Sequence, residues 1–122
     1  FWEVLAVDHS RVLRNAIAWA ANEDPPATVT GPGTLDVTVW RQDGSMTVHM
    51  VNLTNPMMMK GPYREFIPAP PQEVRVLIPK GSRAKKVQLL VSGTEAPVEE
   101  ANGTLTVKVA SILDHEVIAI DL

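Results

Sequence analysis

The chain has 122 residues, enough for one domain with one real core, and its 45% hydrophobic and 20% charged content is ordinary for a globular protein. A net charge of −3 gives no global attraction to nucleic acid or to an anionic membrane. With no cysteine, disulfides, thiol nucleophiles and thiolate metal sites are excluded.

No apolar run approaches the roughly 20 residues that a membrane span needs, and no signal-peptide pattern is present. The expectation is a soluble, cytoplasmic chain. It opens on FWEVLAV, already apolar, as though it continues something longer.

The first element predicted is a helix. In DHSRVLRNAIAWAAN, Val12, Leu13, Ala16, Ile17 and Ala20 recur at helical spacing and make one apolar face. Asp8 or Ser10 can cap its start, and Asn22 with Pro25-Pro26 ends it. A lone amphipathic helix is unstable in water. This one must dock on the domain C-terminal to it or belong to a domain that precedes it.

From about Leu35 the period shortens to two. LDVTVWRQ and SMTVHMVNLT flank Asp43-Gly44, the strongest short hairpin signal, read as a type I′ turn. QEVRVLIP, KKVQLLVS, TLTVKVA and HEVIAIDL come after, separated by KGSRA, GTEAPVEEANG and SILD. The fold class is all-β: an antiparallel two-sheet β-sandwich of about six or seven strands, preceded by one N-terminal α-helix. The domains divide as 1–26, the helix, and 27–122, the sandwich.

Counting outward from Asp43-Gly44 fixes the hairpin register. Val39 faces Val48 and Val37 faces Met50, giving an apolar face for the core. Trp40 faces Thr47 and Thr38 faces His49 on the other side, with Asp36 diagonal to His49. Trp40, His49 and Asp36 are therefore the candidate carbohydrate contact, the indole serving as a stacking platform. The commoner fate of such a half-polar face is to be covered by a loop or a neighbouring domain.

Other polar groups suggest less. Asp114-His115-Glu116 places three potential ligands in a row, but successive strand residues point to opposite faces, so no metal site is expected. Ser111, Asp114 and His115 are too close in sequence to be taken as a triad. Fourteen Asp and Glu residues offer no evident pair flanking a cleft, so no catalytic residue is assigned. No cofactor is expected. Asn52-Leu53-Thr54 and Asn102-Gly103-Thr104 match the loose glycosylation pattern, the second being better read as a turn. GPG at 31–33 is a loop, and the basic run Lys80, Arg83, Lys85 and Lys86 is a solvated turn offset by Glu95, Glu99 and Glu100.

One long connection, NPMMMKGPYREFIPAPP, carries Met57, Met58, Met59, Tyr63, Arg64 and Phe66. Methionine fills irregular gaps, and arginine with aromatics is a usual interface mixture. Prolines 56, 62, 68, 70 and 71 stiffen the excursion and lower the entropy lost on docking. Either it serves an interface with a neighbouring domain or subunit, or it folds back over its own sandwich.

Three segments together, HSRVLRNAIAWAAN, LDVTVWRQDGSMTVHMVNLTNPMMMKGPYREFIP and SILDHEVIAIDL, resemble the C-terminal region of multidomain bacterial glycoside hydrolases related to β-galactosidases and α-fucosidases. The resemblance implies a barrel catalytic domain, then an amidotransferase-like α/β trimerisation domain, then a small terminal β-sandwich. RNAIAWA is similar to the last helix of the trimerisation domain. Catalytic residues of such enzymes lie in the barrel, so none carries over to this chain. The resemblance thus implies a non-catalytic accessory domain whose partners are neighbouring domains, a second subunit in a homo-oligomer, or carbohydrate.

Overall fold

The computed structural model of the chain describes residues 7–54 and 65–122. Helix α1 spans Val7–Ala21 and is succeeded, among the described residues, by eight strands. They are β1 (Ala27–Thr30), β2 (Leu35–Gln42), β3 (Ser45–Asn52), β4 (Gln72–Leu77), β5 (Lys86–Leu89), β6 (Val98–Ala101), β7 (Thr104–Val109) and β8 (His115–Asp121). Two four-stranded sheets form, ordered β1-β4-β7-β6 and β2-β3-β8-β5, with every pairing antiparallel. The expected sandwich is therefore present, with two strands that its sequence does not advertise. These are β1 and β6, both at sheet edges and only four residues long. Among the described residues no helix is long and apolar enough to cross a membrane.

The core lies between the central strands. Met46, Val48 and Met50 of β3 and Ile118 and Ile120 of β8 face Val74 and Val76 of β4 and Leu105, Val107 and Val109 of β7. Ala69 and Ile112, joined by an isolated antiparallel bridge, close one end of it. Each Val, Leu, Ile or Met of this set contributes about 1.5–3 kcal/mol when fully removed from water. All of these core residues are buried.

The hairpin pairs as counted: Val39 with Val48, Val37 with Met50, Trp40 with Thr47, Thr38 with His49, and Asp36 with Val51. Val48 and Met50 are fully buried and Val39 partly so. Val37, on an edge strand of its sheet, keeps 36% exposure because no further strand pairs with β2 on that side among the described residues. The turn itself differs from expectation. Gly44 sits at φ +75 but Asp43 does not have positive φ, which is the φ pattern of a type II turn and not type I′. Positive φ at both central positions occurs instead in the β6–β7 hairpin, at Asn102 (+52) and Gly103 (+74).

Helix α1 keeps closely to its predicted span, but its capping differs. Asp8 and Ser10 both lie inside the helix, so neither is the N-cap residue. Asp8 instead approaches Arg11 at 3.9 Å, an exposed pair of little energetic weight. Asn22, at φ +51, ends the helix by donating its N–H to Ala18 O at 3.1 Å.

Gly44→Val should destabilise the chain by about 1–2 kcal/mol, the cost of holding a side chain at positive φ. A Cβ there meets no heavy atom within 4 Å, so the loss isolates backbone strain from any clash. Urea unfolding that gives an unchanged midpoint would contradict this account of the turn.

Candidate functional site

The two sheets present different outer faces. That of β1-β4-β7-β6 carries Thr28, Glu73, Arg75, Thr106 and Lys108, with Arg75 paired to Glu73 at 3.0 Å. That of β2-β3-β8-β5 carries Trp40, Thr47 and Ala119 in one row and Thr38, His49 and Val117 in the next. Hairpin register produces this second face. Because Val48 and Met50 must point inward, Trp40, Thr47 and His49 must point out.

Trp40 is 66% exposed. It borders a groove of about 250 Å³ lined also by Arg41, Gln42, Ser45 and Thr47. Gln42 Nε2 donates to Ser45 Oγ at 2.9 Å, and Thr47 Oγ1 and His49 Nε2 share a hydrogen bond of 3.1 Å. Asp36 lies on the same face but four residues from Trp40, about 13 Å along an extended strand. Among the described residues no hydrogen bond joins Asp36 to His49. The three candidate contact residues thus share a face without converging on one point.

The other candidates separate clearly. Met57, Met58, Met59, Tyr63 and Arg64 lie outside the described residues. Phe66, the sixth of that set, is 48% exposed. His115 is exposed and Glu116 buried, on opposite faces of β8. Among the described residues no three His, Asp or Glu side chains stand close enough to hold a metal ion.

Asn52, Gln72 and Glu116 are the buried polar residues among those described, and the sequence reveals the structural role of none of them. Asn52 Nδ2 donates toward Ile67 O (2.8 Å), Leu113 O (2.9 Å) and Ile112 O (3.1 Å), its two hydrogens shared among three acceptors. Its Oδ1 accepts from Thr54 N at 3.0 Å. Thr54 Oγ1 in turn accepts from Thr34 N at 3.1 Å. One side chain therefore ties the end of β3 to the chain re-entering at Ile67 and to the segment that leads into β8. An amide engaged in this way is not open to glycosylation in the folded chain.

The carboxylate of Glu116 accepts from Val91 N (2.9 Å), Ser92 N (3.1 Å) and Val117 N (2.9 Å). Desolvation is the largest single influence on its pKa and acts upward. Hydrogen bonds from the Ser92 side chain and from the Val117, Val91 and Ser92 backbones together outweigh it and hold the carboxyl below its ordinary range. Asp114 is also lowered, first by the His115 backbone N–H at 2.8 Å and then by the His115 ring, which approaches to 3.2 Å. Both carboxylates are engaged locally.

No protein-family model and no curated protein matches this sequence. Among solved structures it is similar to α-L-fucosidase isoenzyme 2 from Paenibacillus thiaminolyticus, with a TM-score of 0.70 and 19% identity. The similarity covers 87% of this chain but only 16% of that one. At this identity the likeness shows a shared fold.

Asn52→Leu should cost about 2–3 kcal/mol or more, since buried carbonyls lose their donor. A thermal midpoint within a degree of the parent would contradict the assigned role. Glu116→Gln should cost about 1–3 kcal/mol at neutral pH. Because the folded carboxyl titrates below the unfolded one, that contribution is full above the ordinary glutamate value of 4.5. It is lost as pH falls through the lower folded value. The stability gap between parent and variant should therefore close toward acid, and a gap that widens there would overturn the assignment.

Proposed function

We propose that this chain is the non-catalytic C-terminal accessory β-sandwich of a multidomain glycoside hydrolase. Residues 1–26 carry the last helix of the α/β domain before it, and the sandwich packs against neighbouring domains or subunits. One observation carries the reading. Every described side chain of α1 from Asp8 onward is exposed, including Val12 (66%), Leu13 (52%), Ile17 (68%) and Trp19 (85%).

A 15-residue helix is marginal in water on its own. Its apolar stripe needs a partner, and the sandwich core is complete without it. A preceding unit that contains the helix would supply that partner. The fold shared with a fucosidase of which this chain spans 16% supports the same reading.

Three of the fourteen carboxyl groups are engaged within the domain, which supports a non-catalytic role. Glu116 binds backbone N–H groups, Asp114 binds His115, and Glu73 pairs with Arg75. Hydrolysis of a glycoside needs two carboxyl groups facing each other across the scissile bond, one as acid and one as nucleophile or base. These three are committed elsewhere. The work left to the domain is to pack, to orient its neighbours and to exclude water from their contacts.

The upstream reading frame should encode a barrel domain and then an amidotransferase-like α/β domain; a frame encoding neither would remove the assignment. The 122-residue chain should leave aryl α-fucosides and β-galactosides at the buffer rate. Turnover abolished by a single Asp or Glu substitution would contradict the non-catalytic role. Ile17→Asp should leave the stability of the isolated chain within about 0.5 kcal/mol, as exposed changes do. In the longer protein the same change should lower the melting temperature by several degrees. Equal effects in both would mean that α1 has no external partner.

A further inference from the structure

We propose that the outer edge of the β2-β3-β8-β5 sheet, centred on Trp40, binds a neutral saccharide by stacking a sugar ring on the indole. The inference goes beyond the accessory role and is independent of it, since it rests on Trp40 and its neighbours alone. Trp40 is the largest side chain on this face and keeps 66% of its surface in water. Its indole N–H has no hydrogen-bond partner among the described residues. A tryptophan in this state combines an uncovered π face with an unused donor.

The surroundings decide what fits. Ser45, Thr47 and Gln42 line the groove with hydroxyl and amide groups, which both donate and accept. Arg41 also borders the groove, but its pairing with inward-facing Met46 turns its side chain toward the other face of the strand. Next to Trp40 on the outward rows stand Thr38, Gln42, Thr47 and, one strand further, Ala119. Among the described residues no second large apolar side chain adjoins it there. A protein interface core would need a contiguous apolar patch around such an anchor.

A pyranose presents the complementary chemistry. One face of the ring carries polarised C–H groups that sit against the negative π face of the indole, while equatorial hydroxyls project sideways to amide and hydroxyl partners. The outward row of β2 carries Asp36 and no cation, which favours a neutral sugar over an anionic one. Outward residues Asp36, Thr38, Trp40 and Gln42 form one row along β2, about 20 Å from end to end. That row suits a chain of sugars lying along the strand better than a single ring.

The test tracks the Trp40 indole N–H resonance, assigned by its loss in Trp40→Phe, during titration of the full chain. Probes are L-fucose, D-galactose, soluble galactan, xyloglucan and barley β-glucan. At least one polysaccharide should shift the Trp40 signal saturably while leaving the Trp19 signal in place, and should bind more tightly than either free sugar. Trp40→Ala should weaken that binding at least about tenfold with an unchanged melting temperature. No saturable shift with any probe would overturn the proposal, as would binding that survives Trp40→Ala. Loss of assembly in the longer protein on Trp40→Ala, with no glycan effect, would make Trp40 a protein contact and also overturn it. None of these outcomes bears on whether a hydrolase lies upstream.

Discussion

The packing of β3 and β8 against β4 and β7 is the constraint on which the rest of the molecule depends. Each of these strands sends alternate side chains inward, and those of β3 and β8 are as large as Met46, Met50, Ile118 and Ile120. A slip of one residue would turn this whole set to water and bring Thr47 and His49 inside. The dry face thus dictates the wet one. Trp40 is exposed because Val39 and Val48 are not both free to be.

The same constraint explains why polar residues occur at inward positions only at strand ends. Asn52 continues the inward parity of Met46, Val48 and Met50, and Glu116 that of Ile118 and Ile120. At the ends of the core, backbone groups of turns replace apolar partners, and these two side chains satisfy them. No buried side-chain nitrogen or oxygen among the described residues is left without a partner. The sandwich is closed by hydrogen bonds where it can no longer be closed by packing.

Much of this was legible in the sequence, for physical reasons. Strict alternation across Asp43-Gly44 left only one register that buries an apolar face, and the pairs Val39–Val48 and Trp40–Thr47 result from it. β1 and β6 were not legible, because ATVT is too short to show a period and VEEA exposes all four residues. The type of the Asp43-Gly44 turn was missed because Asp-Gly suits more than one turn. The roles of Asn52 and Glu116 escaped because most of their partners are backbone groups 15 to 61 residues away, invisible to local pattern. A polar residue at an inward parity position was the available signal. At the candidate site, the common face of Trp40, His49 and Asp36 could be counted, whereas their lack of convergence needed coordinates.

The proposal that helix α1 belongs with a preceding domain is tested most directly by amide hydrogen exchange. If α1 draws its stability from a preceding domain, its amides in the 122-residue chain should exchange at nearly the unprotected rate. Those of β3 and β8 should stay protected to the limit of global unfolding, and in the longer protein α1 should become as protected as they are. Protection of α1 equal to that of β3 in the isolated chain would show that the helix already has its partner, and would contradict the account.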